Sequence, residues 1–291
     1  MGEERRMDLD SLRAAITAEF PELAAARFEM LQAGWDSAAV EADGRLIFKF
    51  PRDGNAQENL IREARLLKVV RPAVSLPVPD LEIISGPPLF SRHEKIAGEH
   101  LVTDQYEAMP EEAKQRLAVD VARFYAELHG LDRRVMEAAG AGPIGAWLPP
   151  EEILRRALPL LPEELKRYAE KTIAAWQALP PDPHGTTYGF FDGHGWNMAF
   201  DHERQVLNGI YDFADSGFGP LQQEFIYTDW ISPDLTARII GEYERLTGRL
   251  IDRTRVRILS GVIRLSELAE YADDPRHAPA MIENVARWAG L

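Results

Sequence analysis

The stretch Tyr188-Gly-Phe-Phe-Asp192-Gly-His194-Gly-Trp-Asn197, followed by Ile210-Tyr-Asp212-Phe, sets the tightest limit on what this chain can become. It gathers a carboxylate, a side-chain amide and a second carboxylate around one polar loop that runs into a strand. Such a set can orient a hydroxyl and hold Mg²⁺, a hard cation that takes oxygen donors and keeps several waters. The chemistry it points to is phosphoryl transfer, which asks a protein for positioning and charge more than for covalent work.

The upstream half supplies what that loop lacks. Ile47-Phe-Lys49-Phe50 reads as a buried strand carrying one Lys, and Asn59-Leu-Ile-Arg-Glu63-Ala-Arg-Leu-Leu67 as a helix carrying a Glu. A buried ammonium needs an anionic partner, because desolvating it is costly. In protein kinases a strand Lys pairs with a helix Glu and holds the nucleotide phosphates, and an Asp, an Asn and a later Asp complete the site. Lys49, Glu63, Asp192, Asn197 and Asp212 occur in that order. Singly, each has an ordinary reading: a Lys reaching solvent from an edge strand, a Glu on a wet helix face, a polar turn. Their order along the chain outweighs those readings.

With these residues in place, the chain resembles the aminoglycoside phosphotransferase and choline-kinase-like family of small-molecule kinases over almost its whole length. Gly34-Trp-Asp-Ser37 and Gly44-Arg-Leu-Ile-Phe-Lys-Phe-Pro51 look like its nucleotide loop and Lys strand. Pro77-Val-Pro79, Phe124-Tyr-Ala-Glu-Leu-His129 and Asp212-Phe-Ala-Asp215-Ser-Gly-Phe-Gly219-Pro look like its later landmarks. The resemblance implies an α+β, bilobal protein-kinase-like fold. A small antiparallel-sheet lobe with one main helix would span 1–96, and a larger, mostly helical lobe 97–291, with the hinge about 95–99. It implies Mg²⁺ with ATP or GTP as phosphate donor and a hydroxyl of a small, amine-bearing, aminoglycoside-like molecule as acceptor. An amino alcohol, a sugar or a macrolide remain alternative acceptors. Lys49 would hold the α- and β-phosphates and Glu63 would orient it, while Ser37 and Gly34 would lie against the nucleotide. Asp192 would be the catalytic carboxylate and Asn197 and Asp212 the metal ligands. Asp229, Trp230 and Asp234 fall in a segment such proteins use around their substrate.

One departure stands out: the family usually places His-Gly before the catalytic Asp, and this chain has Phe190-Phe191. The usual His anchors the loop by hydrogen bonding, whereas Phe190 can only pack. A second class therefore stays in view, a nucleotide-binding protein of the same fold with impaired catalysis. His194 reads as a structural loop residue and His129 as a capping or core residue.

Charge narrows the partners. The net charge is −14, with 13 basic and 17 acidic side chains among residues 1–100 and 20 and 30 beyond them. Nucleic acid and anionic membranes call for clustered Lys and Arg, so neither is expected, and a cationic acceptor fits better. No apolar run approaches a membrane span and the first residues lack a signal-peptide core, so a cytoplasmic protein is expected. Without Cys there is no disulfide or thiolate chemistry. The oligomeric state is left open.

Periodicity orders the rest. An amphipathic helix capped at Asp10 or Ser11 opens the chain. Strands at 38–42 and 45–50 joined by Asp43-Gly44, a helix at 55–70, and short strands at 80–85 and 89–95 follow. Helices are expected at 111–130, at 151–178 with a break near Pro159 and Pro162, and three more over 234–289, with 132–150 an irregular excursion.

Overall fold

The structure, a computed structural model, describes residues 8–31 and 37–290. Gly34 lies outside the described residues. Helix α1 (Leu9–Glu19) and strand β1 (Phe28–Met30) are followed by β2 (Ser37–Ala42), β3 (Leu46–Pro51), α2 (Gly54–Val70), β4 (Glu82–Ile84) and β5 (Phe90–Glu94). Helices α3 (Thr103–Glu107), α4 (Glu111–His129), α5 (Arg133–Ala139), α6 (Pro150–Ala157) and α7 (Glu163–Gln177) come next. Strands β6 (Thr186–Gly189), β7 (Met198–Asp201), β8 (Val206–Ile210) and β9 (Gly217–Pro220) lead into α8 (Pro233–Thr247), α9 (Arg253–Glu270) and α10 (Ala278–Ala289). The class is α+β, with an antiparallel sheet early in the chain and mostly helix after it.

Two compact units form. One joins Met1–His100 with Leu131–Ala141 and Asn197–Ala214, and the other joins Leu101–Gly130, Gly142–Trp196 and Asp215–Leu291.

In the first unit the sheet runs β1-β2-β3-β5-β4, antiparallel throughout. Asp43 and Gly44 both have positive φ, 52° and 67°, the geometry a two-residue hairpin needs to match strand twist. Strand β2 alternates buried and half-buried residues, so Ala38, Val40 and Ala42 face one side with Leu46, Phe48 and Phe50 of β3. Leu12 and Ile16 of α1 close that core, and the Phe50 and Phe90 rings stack at 4.7 Å. A period of two then sends Ile47 and Lys49 to the opposite face, where α2 packs on β3. The hairpin β7–β8 also belongs to this unit: Glu99 and Phe200 exchange N–H···O bonds of 2.9 and 2.8 Å, and the Ile210 N–H donates to the Pro77 carbonyl at 3.1 Å. Gly98, at φ 139°, admits this approach, since a Cβ there would lie 2.5 Å from the Ala199 carbonyl carbon.

In the second unit α4 packs on α8, and α9 is enclosed by α6, α7 and α10 around Ile153, Leu165, Ile173, Val262, Leu265 and Val285. A separate antiparallel pair, β6 with β9, carries the chain into the segment around Asp192.

Two local details differ from the sequence reading. The cap of α1 is Asp8, whose side chain accepts the Ser11 N–H at 2.9 Å, in place of Asp10 or Ser11. The stretch 132–150 contains α5, which is capped by Asp132 and ends on left-handed Gly140; with only Met136 buried it has no apolar stripe for periodicity to register.

Candidate active site

Helix α2 explains why Glu63 is enclosed. Leu60, Glu63, Ala64 and Leu67 form one buried stripe, so the carboxylate sits in the middle of the face that α2 presents inward. Lys49 Nζ stands 3.6 Å from Glu63 Oε1 and 3.0 Å from Asp212 Oδ1. Burial works against the Lys49 charge, but the two carboxylates outweigh it and hold the ammonium above its usual range. Glu63 Oε1 also accepts the Phe213 N–H at 2.9 Å, and Arg62 Nη2 donates to the Ala214 carbonyl at 2.6 Å. Helix α2 thus fixes the backbone just beyond Asp212.

Asp212 itself has φ 69°, a left-handed conformation uncommon for a non-Gly residue, and its side chain is 46% exposed. Asn197 is buried, and its carbonyl accepts the Tyr211 N–H at 3.0 Å, directly ahead of the Met198–Ile210 pair of the ladder. The β7–β8 hairpin therefore brings Asn197 and Asp212 to one end. Among the described residues no group of three or more His, Asp and Glu is placed to hold a metal. One carboxylate and one amide oxygen instead fit Mg²⁺, which takes few protein ligands and fills its octahedron with water and phosphate.

Directly paired residues of antiparallel strands share a face. Lys49 pairs with Ala39, so Ser37, two residues along β2, lies on the Lys49 side. Ile47 pairs with His93 of β5, which puts that imidazole on the same face. His93 is buried and its Nδ1 has no hydrogen-bond partner among the described residues; burial, with the Lys49 charge adding, pushes its pKa down to about 3. Nothing in the sequence singled it out.

Asp192 lies in the second unit. His194 Nε2 stands 3.1 Å from Asp192 Oδ1, and the His194 N–H closes a tight turn on the Asp192 carbonyl at 2.9 Å. Burial lowers the His194 pKa, but the Asp192 carboxylate more than reverses this and leaves it raised. Phe190 and Phe191 are fully packed, and Phe191 takes a left-handed φ of 53°. Their N–H groups donate at 3.0 and 2.8 Å to the two oxygens of Glu224, a residue the sequence reading missed because it stands in an irregular 3₁₀ stretch, Leu221–Trp230.

That 3₁₀ stretch also lies against the loop: a Cβ at Gly193 would be 3.7 Å from Thr228 Cγ2, and one at Gly195 would be 3.2 Å from Ile231 Cγ1. Asp229 and Trp230 fall between those contacts. Arg264 of α9 joins both, with Nη2 3.2 Å from Asp229 Oδ2 and its guanidinium carbon 4.2 Å from the Trp230 ring centroid. Asp234 is held elsewhere, accepting from Arg238 Nε at 2.7 Å and the Tyr106 hydroxyl at 2.6 Å. Glu267, one turn beyond Arg264, was not anticipated. Burial lifts its pKa to about 7, Arg264 and His194 oppose the shift, and Glu270 and Asp192 add to it.

No curated protein sequence matches the chain. A GDP complex of a mutant aminoglycoside 2'-phosphotransferase-IIIa superposes with a TM-score of 0.85 at 21% identity, covering 97% of this chain and 98% of that one. A GDP and kanamycin complex of APH(2")-IIIa gives 0.79 at 21% identity, covering 96% and 98%. The apoenzyme of macrolide 2'-phosphotransferase MphH from Brachybacterium faecium gives 0.69 at 16% identity, covering 95% and 98%. At these identities the likeness establishes a shared fold. Residues 27–259 match the model of one family, a span that takes in the Lys49 strand, the Glu63 helix, the Asp192 loop and the β7–β8 hairpin, and the chain therefore belongs to the phosphotransferase enzyme family (APH).

Proposed function

We propose that the chain is a kinase that moves the γ-phosphate of ATP or GTP to a hydroxyl of a small, amine-bearing molecule. The observation that carries this reading is Lys49, held between the buried Glu63 and the half-exposed Asp212 at the hairpin end that also bears Asn197. Asn197 and Asp212 would hold Mg²⁺, which, when bound, neutralises charge on the β- and γ-phosphates. Lys49 would bind the α- and β-phosphates, with Glu63 keeping its ammonium in place and Ser37 against the nucleotide. Asp192 would orient the acceptor hydroxyl and take its proton late, because a loose phosphoryl transition state needs little prior deprotonation.

The amine preference is supported by the acidic surplus beyond residue 100 and by Glu267, an acid beside Asp192. Arg264 already engages Asp229 and the Trp230 ring, and Arg238 and Tyr106 engage Asp234, so an amine at these groups would compete with those partners. A relative of the same fold has been solved with kanamycin, and another is a macrolide phosphotransferase, so both acceptor types belong in the screen.

The test is steady-state turnover of ATP and GTP with and without a panel of aminated sugars, macrolides and neutral sugars. With an acceptor identified, Asp192→Asn should bind nucleotide as the parent does and lower single-turnover transfer by at least about 10²-fold. A near-parental rate would remove Asp192 from the mechanism. Absence of turnover with every acceptor, together with intact nucleotide binding, would favour the impaired-catalysis class.

A further inference from the structure

Tyr125 is a fully buried residue of α4. Three rings fix its place: His129, one turn on, stacks at 6.3 Å, Phe225 meets it edge-on at 5.8 Å, and Phe124 lies tilted at 6.1 Å. The hydroxyl so placed ends against the Asp192 loop, where a Cβ at Gly193 would lie 2.1 Å from Tyr125 Oη and 3.3 Å from Cζ. The φ of Gly193 is outside the left-handed range, so the position needs glycine for room and not for conformation. The residue directly after Asp192 therefore rests on a phenol oxygen.

That oxygen is enclosed and has no hydrogen-bond partner among the described residues. Burial, with Glu224, Tyr227 and Asp192 adding, pushes the phenol well above its ordinary range, so the group is a neutral O–H. A buried hydroxyl left unbonded is destabilising, and a Phe would fill the same ring site without that cost. Costs of this kind are kept where activity depends on them.

We propose that Tyr125 is a positioning residue for phosphotransfer: its hydroxyl, bearing on Gly193, sets the height at which Asp192 is presented to the acceptor. This rests on the kinase reading of Asp192 and deepens it. The contact acts on the main chain one residue beyond Asp192, while His194 holds the carboxylate itself at 3.1 Å. Removing the oxygen lets the loop settle toward α4, and transfer between groups held in near-attack geometry slows when one of them is displaced by a fraction of an ångström.

The experiment uses the full chain with Tyr125→Phe, which removes the oxygen alone, with Gly193→Ala, and with the two combined. Thermal unfolding, nucleotide affinity, kcat and acceptor KM are measured together. Tyr125→Phe should raise the unfolding midpoint by about 2–4 °C, because an unbonded hydroxyl is gone, yet lower kcat about 3- to 10-fold. Nucleotide affinity and acceptor KM should stay within about twofold. A residue that only packs would not move stability and kcat in opposite directions. Gly193→Ala should lower the midpoint by about 4–10 °C in the parent, through overpacking against the Tyr125 oxygen, and Tyr125→Phe should return at least about half of that loss. A folded Tyr125→Phe protein with parental kcat overturns the proposal. So does a lowered midpoint, which would mean that the hydroxyl is bonded. Gly193→Ala harming both backgrounds alike, failure of both to fold included, overturns it as well. If the parent turns over no acceptor, the kinase reading fails while the midpoints of the four proteins still decide whether Tyr125 seats the loop.

Discussion

Lys49 has two carboxylate partners, and the closer one should contribute less to stability. At 3.6 Å and an effective dielectric constant near 20, the attraction between Lys49 and Glu63 is about 4–5 kcal/mol. Asp212 is nearer, at 3.0 Å, but its side chain is 46% exposed, so water screening brings its attraction down to about 1–2 kcal/mol. Replacing Glu63 by Gln keeps an oxygen for the Phe213 N–H and relieves the desolvation of one buried charge, which cancels part of the loss. Glu63→Gln should therefore cost about 2–3 kcal/mol of stability and Asp212→Asn less than about 1 kcal/mol. Urea unfolding of the nucleotide-free protein, with m-values compared to ensure that the same surface is exposed, measures both. If Asp212→Asn costs as much as Glu63→Gln, or if Glu63→Gln is silent, the argument that burial outranks distance here is wrong. The expected ordering also separates roles, with Glu63 a stabilising partner and Asp212 a carboxylate left available to a ligand.

Asp212→Ala should accordingly abolish the Mg²⁺ dependence of nucleotide affinity while sparing the fold; calorimetry with nucleotide, with and without Mg²⁺, checks this, and unchanged linkage removes the metal role. His93, held near a pKa of about 3 in the folded chain, regains an ordinary value near 6.5 on unfolding, so the unfolded state takes up a proton the folded state refuses. Its contribution to stability is thus lost as pH falls below about 6.5, by about 2 kcal/mol at pH 5, and His93→Gln should flatten the stability-versus-pH curve between pH 7.5 and 5; equal acid losses in the two proteins would refute this. Capture of an amine-bearing acceptor should weaken with rising ionic strength, and Glu267→Gln should raise KM more than it lowers kcat. A screen in which neutral or anionic acceptors outperform every amine would overturn the cationic preference.

The sequence alone determined the fold class and the order of the site residues, because both are written in local signals. The continuous apolar run around Lys49, the apolar stripe running through Glu63, the Asp43-Gly44 turn and the run from Asp192 to Asp212 each need only a few neighbouring residues to be read. Even the α2 stripe carries the hint that Glu63 is enclosed, since Leu60, Ala64 and Leu67 flank it at helical spacing. The sequence could not supply the partners that arrive from far along the chain. That Asn197–Ala214 packs with the early sheet follows from the Glu99–Phe200 and Pro77–Ile210 hydrogen bonds, between segments over a hundred residues apart. That Glu224 grips the backbone before Asp192, that His93 shares a face with Lys49, and that Arg264 neutralises Asp229 are likewise products of packing. Periodicity records which face of an element is buried and is silent on what meets it there, so these pairings were decided by the tertiary structure alone.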